Sequence, residues 1–294
     1  MIDLRACESD ADYEIWLAVR RAVLPRERTA SLDELKTGIK PGDLHLLADL
    51  DGELAGSGLA NRSDTGGAHL APRVLPDKRG RGVGAALLTR LAQHAVELGY
   101  TRAGAHVAGD DEHSLAFATR FGFDEAWRDM QQVLEVDGAV SPRDIAGIEF
   151  VSIESRPELL EASFPLAQQG YADMPIAGLD VRLDSWLAEE ATLPGGSFVA
   201  LADGGIVGYA GLMRWNDDDT KAEHGLTVVR RDWRGRGLAA ALKEREIAWA
   251  GANGISRLVT YTQTGNENMQ AVNTRLGYVT SETSISFTRT LPLP

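Results

Sequence analysis

Hydrophobic and polar positions follow the same succession twice along the chain. Two apolar stretches, each interrupted by a glycine beside an aspartate, predict β-hairpins over residues 44–62 and 197–215. A further strand leads from each hairpin into an Arg-Gly-Arg-Gly segment. An amphipathic helix is predicted next, over 83–98 and over 238–253, and a glycine follows each helix as its expected stop signal.

The pattern around these segments completes two copies of one α/β unit. Helices are predicted before each hairpin, and a strand, a short helix and a last strand after each long helix. The segments are 10–24, 31–39, 102–107 and 127–136 in the first copy, and 157–171, 183–190, 257–262 and 283–290 in the second. The order β-α-α-β-β-β-α-β-α-β predicts a mixed sheet with helices on both faces, in the α/β (α+β) class.

The two copies align without a gap at an offset of 155 residues, which relates Arg79 to Arg234. The match holds from His69 to Phe123 in the first copy, a length that indicates duplication of a whole domain. The segment 138–147 has the Gly, Pro and polar residues of a linker. We therefore predict one domain over 1–137 and a second over 148–294.

Composition narrows the possible classes. The formal net charge of -13 disfavours nucleic acid and anionic membranes as partners and favours a cationic small molecule. The single cysteine, Cys7, excludes an intrachain disulfide and a cysteine-based metal cluster. No stretch approaches the ~20 apolar residues of a membrane span, and the acidic N-terminus is unlike a signal peptide. We expect a cytoplasmic protein that holds no metal.

The two Arg-Gly-Arg-Gly segments are candidate anion sites. Each lies between a strand and a helix, where the first helical N–H groups have no intrahelical acceptor and the helix dipole favours negative charge. Glycines allow close approach of a phosphate, and the arginines add charge. A basic turn before a helix is the simpler alternative, but the duplication argues against it. Neither the dinucleotide pattern GxGxxG nor the nucleotide loop GxxxxGK[ST] is present.

The remaining pattern, Arg-x-x-Gly-x-Gly/Ala at 79–84 and 234–239, resembles the GNAT N-acetyltransferase superfamily, in which this loop binds the pyrophosphate of acetyl-CoA. A second family feature begins at Asn266, where Asn-x-x-Met leads into a helix that ends in Gly-Tyr. Asp111 takes the place of this asparagine in the first copy. The stretch YADMP at 171–175 is similar to tandem actinobacterial GNAT proteins. The resemblance covers nearly the whole chain.

The resemblance implies which residues bind acetyl-CoA. In the second copy they are Thr227, Val228, Val229, Arg234, Gly235, Arg236, Gly237, Leu238, Ala239, Ala240, Asn266 and Asn273. The first copy offers a weaker set, namely Val74, Arg79, Gly80, Arg81, Gly82, Val83 and Gly84. Pro72 stands there where the family pairs strand backbone with pantetheine, and proline has no N–H to donate.

Acyl transfer to an amine needs a base, and the resemblance implies a Glu eleven positions ahead of the loop. That residue is Glu223 in the second copy and Ala68 in the first. His69 and His224 follow these positions. Because neighbours on a strand point to opposite faces, Glu223 and His224 cannot both face the substrate, and we interpret both histidines as structural. The second copy is therefore expected to catalyse, and the first to be degenerate.

The family's usual proton donor to the leaving thiolate, a Tyr seven positions after the asparagine, is missing. Asn273 and Ala118 stand there, so water, Tyr261 or Tyr278 must supply the proton. The leading hypothesis is an acetyl-CoA-dependent N-acetyltransferase acting on a primary amine of a small, cationic metabolite or antibiotic. The alternatives are a protein N-acetyltransferase, a CoA-binding regulatory module without turnover, and a scaffold that uses its arginine loops for protein contacts. The protein is expected to be a monomer or a homodimer.

Overall fold

The computed structural model describes residues 1–138, 140–174, 176 and 179–293. The chain forms two compact units. The first unit holds Met1–Arg128 together with the described residues from Ser284 onward, and the second unit holds Asp129–Thr283. No helix of the described residues is both long enough and apolar enough to cross a membrane.

The elements follow the predicted order in both copies. The first copy contains β1 (Ile2–Ala6), α1 (Asp10–Val23), α2 (Leu32–Gly38), β2 (Leu44–Leu50), β3 (Glu53–Arg62), β4 (Ala68–Val74), α3 (Val83–Glu97), β5 (Arg102–Ala108), α4 (Glu112–Arg120) and β6 (Asp124–Glu135). The second copy contains β7 (Glu149–Ser152), α5 (Glu158–Ala162), α6 (Phe164–Ala172), α7 (Leu183–Glu189), β8 (Phe198–Ala202), β9 (Gly205–Arg214), β10 (Lys221–Val229), α8 (Leu238–Ala252), β11 (Arg257–Gln263), α9 (Glu267–Arg275) and β12 (Val279–Thr290).

The helix predicted over 157–171 is two helices, α5 and α6, which meet at Ser163. Pro165 lies in the first turn of α6 and has no N–H to continue the α5 hydrogen-bond ladder. The Ser163 hydroxyl turns back and donates to the carbonyl of Leu159 at 2.7 Å. A proline at this place therefore starts a new helix.

The last strand of each copy belongs to the sheet of the other unit. From Asp129 on, β6 pairs antiparallel with β11 of the second unit. From Ser284 on, β12 pairs antiparallel with β5 of the first unit. The strand order within the first unit is therefore β1-β2-β3-β4-β5-β12, and within the second it is β6-β11-β10-β9-β8-β7.

The domain bounds predicted from the repeat, 1–137 and 148–294, place each last strand in its own copy. They describe the repeated sequence units and remain a prediction. A repeat shows the succession of elements but not which strand edges meet. The linker predicted over 138–147 follows β6, and its residue Ala139 lies outside the described residues, as do the chain's last residue, Pro294, and the final residue of the YADMP stretch, Pro175.

Helices cover both faces of each sheet, which confirms the predicted α/β class. In the second unit α8 packs on one face, against a cluster that includes Leu212 and Leu258. Its other face carries a cluster that contains Trp186 of α7 together with Leu226 and Val228 of β10. In the first unit α3 covers one face and α1 the other.

A β-bulge distinguishes β10 from β4. The pairing of β10 with β9 shifts by one residue between His224 and Thr227, whereas β4 keeps one continuous register with β3 from Ala68 to Val74. The parallel pairing of β10 with β11 ends at Glu223 in the described structure, although both strands continue beyond it. An opening between the two strands therefore lies directly ahead of the second arginine loop.

Candidate active site

The second arginine loop is shaped by two glycines in the left-handed region. Gly235 and Gly237 have φ of 75° and 81°, a conformation that glycine adopts without the strain of a side chain. Gly237 is the N-cap of α8, and no side chain caps this helix among the described residues. The first N–H groups of α8, from Leu238 to Ala240, are thus left for an anion.

The first arginine loop has the same backbone. Gly80 and Gly82 have φ of 73° and 88°, and Gly82 is the N-cap of α3, again without a side-chain cap in the described part of the chain. Both units therefore present a helix N-terminus of the kind that binds phosphate, and the loop backbone does not distinguish them. The difference must lie in the strand that leads into each loop.

A carboxylate already pairs with the first arginine of each loop. Arg234 Nη2 donates to Asp173, which follows α6, and Arg231 Nε donates to the same carboxylate at 3.1 Å. These hydrogen bonds, that of Arg231 first, lower the pKa of Asp173 to about 2. In the first unit Arg79 Nη2 donates to Asp111 at 3.1 Å. The backbone amides, rather than these two guanidinium groups, are the open part of each loop.

The bulge makes equivalent positions face opposite ways. Ala68 of β4 packs on the α3 side, so the next residue, His69, points to the α1 side. In β10 it is Ala222 that packs on the α8 side, so Glu223 points to the face that α6 and α7 cover, and His224 points back toward α8. The prediction that His69 and His224 occupy equivalent places is wrong, because a one-residue slip of register reverses every side chain.

Glu223 lies half-buried on the face that α6 and α7 cover. In the strand ladder it stands opposite Met213 of β9 and Val259 of β11, the last parallel pair before the two strands separate. The following residues Thr227, Val228 and Val229 pair with β9 along one edge only. Their other edge faces the opening, which is where the sequence analysis expected backbone contacts with pantetheine.

A carboxylate that the sequence analysis missed lies on the same face. Glu190 directly follows α7, and its carboxylate accepts the N–H of Leu226 at 3.0 Å and the hydroxyl of Tyr209 at 3.1 Å. It fits only because residues 211 and 225 are glycines: a Cβ at Gly225 would lie 2.3 Å from Glu190 Oε2. Desolvation raises the pKa of Glu190 to about 7.

Gly225 is two residues beyond Glu223 on β10, a distance of about 7 Å along a strand. The second unit therefore brings two carboxylates to one face beside the bulge. No sequence signal indicated this, since a Glu-Glu pair at the end of a short helix is typical of a solvated surface.

His224 belongs to a buried polar network on the other face. Its Nδ1 lies 2.9 Å from Glu246 Oε2, its Nε2 is hydrogen-bonded to the Tyr278 hydroxyl, and the side chains of His224 and Glu246 are inaccessible to solvent. Lys243 Nζ lies 5.3 Å from the centre of the Tyr278 ring. Burial raises the pKa of Tyr278 well above its usual value. The Tyr278 hydroxyl therefore lies on the α8 side of the sheet and cannot take part in a proton transfer on the opposite side, which Glu223 faces.

The two asparagines of the family pattern have separate places. The Asn266 side chain caps α9 by accepting the N–H of Met269 at 3.4 Å. Asn273 is wholly buried, and its amide nitrogen donates to Gln132 at 2.9 Å and to Thr262 at 3.2 Å. The oxygen of the Asn273 amide is also buried and has no partner among the described residues.

Two observations bear on the proton donor and on metal binding. Gln131 donates to the Tyr261 hydroxyl at 2.8 Å, on a strand that borders the opening. The structure, within its described residues, shows no group of three or more His, Cys, Asp or Glu placed to hold a metal ion.

Two α/β units, each with a strand, a glycine loop and an uncapped helix, define a tandem acyltransferase. The chain belongs to the acetyltransferase (GNAT) family, whose model matches residues 10–123 and 160–278. The match to two regions confirms the tandem GNAT prediction and the enzyme class.

Relatives and solved structures agree with this assignment. The chain is 26% identical over 296 residues to a mycothiol acetyltransferase of Amycolatopsis mediterranei, covering 92% of this chain and 94% of the relative. It is 28% identical over 261 residues to a mycothiol acetyltransferase of Streptomyces coelicolor, covering 86% and 82%.

A tandem GNAT protein from the clavulanic acid biosynthesis pathway has the same fold, with a TM-score of 0.77 at 18% identity and full coverage of both chains. A GCN5-related N-acetyltransferase from Sphaerobacter thermophilus also has a TM-score of 0.77 at 18% identity, over 98% of this chain and 95% of that one.

Proposed function

We propose that the protein is an acetyl-CoA-dependent N-acetyltransferase that acetylates a primary amine of a small, cationic metabolite or antibiotic, and that its second unit catalyses. The observation that carries this proposal is the bulge in β10, which turns Glu223 toward the face that α6 and α7 cover. The sheet also opens ahead of the first loop, where β4 and β5 pair only at Ala68 and His69, but the continuous register of β4 leaves Ala68 on the α3 side.

The second unit fits acetyl-CoA as a substrate. The uncapped N-terminus of α8 at Gly237 suits a pyrophosphate, and the unpaired edge of 227–229 suits the amides of pantetheine. The remaining contacts are assigned to Arg236, to the first turn of α8, and to Asn266 and Asn273. When bound, acetyl-CoA supplies the acetyl group as a thioester. In the first unit, residues from Val74 to Gly84 form a second, weaker CoA site.

The chain's own residues handle the protons. Glu223 takes the proton that the acceptor amine must lose, since a carboxylate can do so directly or through water. Glu190, whose pKa of about 7 lies near cellular pH, fixes the Leu226 N–H beside it and offers a second proton acceptor on this face. The leaving thiolate takes its proton from water or Tyr261, because Tyr278 is occupied on the α8 side.

The acceptor is proposed to be cationic for two reasons. Glu223 and Glu190 lie on the same face of the second unit, and the chain carries a net charge of -13. We place the enzyme in the cytoplasm as a monomer or homodimer, with neither nucleic acid nor membrane as partner. A second candidate is the reaction named for its relatives, mycothiol acetylation, and their coverage of most of the chain favours it. Asn273 stands where the family has its proton-donating tyrosine, so this chain must use a different proton donor for the thiolate, which argues against this second candidate.

Thiol release from acetyl-CoA with a panel of amines, including mycothiol that lacks its acetyl group, tests the proposal. We expect Glu223→Gln to lower kcat by about 10²–10⁴-fold. Asp219→Asn, a change of a carboxylate that is 91% exposed, is the matched control and should leave kcat unchanged. Unchanged turnover of Glu223→Gln between about pH 6 and pH 9 would remove it from the mechanism.

Glycine variants test the assignment of the units. Gly237→Ala strains a residue with φ of 81° and should abolish activity, whereas Gly82→Ala should not. The opposite result would exchange the roles of the two units. Binding of CoA without thiol release from any amine would support a regulatory module instead.

A further inference from the structure

Arg73 is a buried cation in the first unit, and its guanidinium is hydrogen-bonded to no carboxylate among the described residues. The residue is 8% exposed, and its Nε and Nη1 atoms have no hydrogen-bond partner among the described residues. The guanidinium lies over the ring of Trp16, 4.9 Å from its centre. The neighbouring acid, Glu27, is already paired with Arg20 at 3.1 Å. Burial lowers the pKa of Arg73 to about 9, which shows how poorly this environment solvates its charge.

Two more polar groups on the same face lack partners. Ser57 of β3 stands directly opposite Arg73 in the strand ladder, and its hydroxyl is buried without a partner in the described residues. On β2, His45 is 5% exposed, and its Nε2 has no partner there either. The His45 ring lies edge-on to Trp16 at 5.0 Å. Three adjacent strands thus direct unsatisfied polar groups into the region under α1.

A cavity connects this region with the surface. It has a volume of about 200 Å³ and runs from Arg73 and Pro72 past Val23 to the loop at Gly82 and to Phe117 of α4. Arg73 contributes to its wall, together with loop residues such as Arg79, Gly82 and Gly84.

The second unit shows that the fold does not require these groups. Val228 takes the place of Arg73, and Tyr209 stands opposite Val228 as Ser57 stands opposite Arg73. The Tyr209 hydroxyl donates to Glu190, so the corresponding face of the second unit carries a carboxylate. The two copies therefore carry ionisable groups of opposite charge on this face. An unpaired buried charge costs several kcal/mol, and a ligand of opposite charge would offset that cost.

We propose that the first unit binds a small organic carboxylate at Arg73, reached through this cavity and held by the guanidinium together with Ser57 and His45. One guanidinium balances one carboxylate, whereas a phosphate dianion would leave a buried negative charge uncompensated. The ligand's apolar part lies along Val23 and Phe117, which line the cavity. The cavity that leads to this site shares its wall with loop residues assigned to CoA, but the site does not depend on the proposed acetyl transfer.

Thermal unfolding and calorimetric titration of the full chain test this site. The probes are acetate, malonate and benzoate, with inorganic phosphate and chloride at matched ionic strength. We expect at least one carboxylate to raise Tm in wild type, and Arg73→Met to weaken its binding by at least about tenfold, the worth of a charge-assisted hydrogen bond. Arg73→Lys should retain part of the effect. Arg128→Met, at an exposed arginine of the same unit, should behave as wild type.

The unliganded variant separates a binding role from a structural one. Without ligand, Arg73→Met should unfold at the same temperature as wild type or a higher one, because it removes an unpaired buried charge without changing the side chain's length. A lower Tm would mean that the guanidinium supports the fold, and would overturn the proposal. Failure of all three carboxylates to bind wild type, or equal binding to Arg73→Met, would overturn it as well.

Malonyl-CoA, with acetyl-CoA as its baseline, distinguishes the two sources of such a carboxylate. A free acid should bind without CoA, and its binding should respond to Arg73→Met. A carboxylate carried on an acyl chain would instead make malonyl-CoA, but not acetyl-CoA, sensitive to that substitution. Neither result depends on turnover, so loss of the acetyl-transfer hypothesis would leave this test intact.

Discussion

Replacing Glu190 by glutamine removes a titrating carboxyl group from the second unit and keeps its shape. The amide oxygen can still accept the Leu226 N–H, and the amide nitrogen can donate to the Tyr209 hydroxyl, which now donates to the carboxylate. The glycines at 211 and 225 leave room for the amide as they do for the acid. The substitution therefore changes chiefly the response to pH.

The magnitude follows from the pKa of Glu190, which rises from 4.5 to about 7 on folding because the carboxylate is desolvated. One pKa unit corresponds to 1.36 kcal/mol, so the linked change is at most about 3 kcal/mol, and less to the extent that water reaches this partly exposed residue. The folded state holds the proton more tightly than the unfolded state does. The free energy of unfolding should therefore fall as pH rises from about 4.5 to about 7, and then level off.

Urea unfolding of wild type and Glu190→Gln at a series of pH values between about 5 and 8 measures this change. As pH rises over that range, the free energy of unfolding of wild type should fall by about 2–3 kcal/mol relative to that of Glu190→Gln. Glu189→Gln, at the exposed neighbour, is the control and should follow wild type. If the stabilities of wild type and Glu190→Gln change in parallel with pH, the carboxylate is not desolvated as the contacts with Gly211 and Gly225 require.

Two further predictions concern charges in the second unit. Asp173→Asn releases Arg234 from its ion pair, so we expect CoA to bind about 5–10-fold more tightly at low salt, with the gain shrinking as salt screens the charge; calorimetry at two salt concentrations measures this, and unchanged or weaker binding at low salt contradicts it. In the buried network, Lys243→Leu alone should lower the free energy of unfolding by about 3–5 kcal/mol, because it removes the cation beside Glu246. Lys243→Leu combined with Glu246→Leu should be neutral or stabilising by about 1–4 kcal/mol. The first copy has leucines at both of these positions. Denaturant unfolding compares the two, and a double variant less stable than the single one would show that the network supports the fold.

The local elements of this fold could be predicted from the sequence because they depend on short-range periodicity. Apolar stretches around a Gly-Asp turn marked both hairpins, and an apolar stripe of period 3.6 marked α3. The amphipathic pattern predicted for α8 is wrong, because that helix also buries Lys243, Glu244 and Glu246. The glycine loops were equally readable, since positive φ at Gly235 and Gly237 is a local requirement of the turn. The repeat then extended each local prediction to a second copy.

Pairing between distant strands was not readable in this way. The exchange of β6 and β12 between the units depends on which sheet edge each strand meets, and both strands have the same alternation wherever they pair. The bulge in β10 likewise inserts no residue that the gap-free alignment could show. It nevertheless reverses the side chains ahead of it, so that Glu223 and Ala68, aligned in sequence, face opposite sides of their sheets.

By itself the sequence determined the tandem fold, the anion loops and one candidate base, because each rests on residues close together in the chain. Tertiary structure alone decided the environments of Glu190 and Arg73. Glu190 looks like part of a solvated helix end until Gly211 and Gly225 enclose it, and Arg73 looks like a surface cation until α1 covers it. Burial and pairing of a charge are properties of what the rest of the chain places around it, and a local pattern carries no record of that.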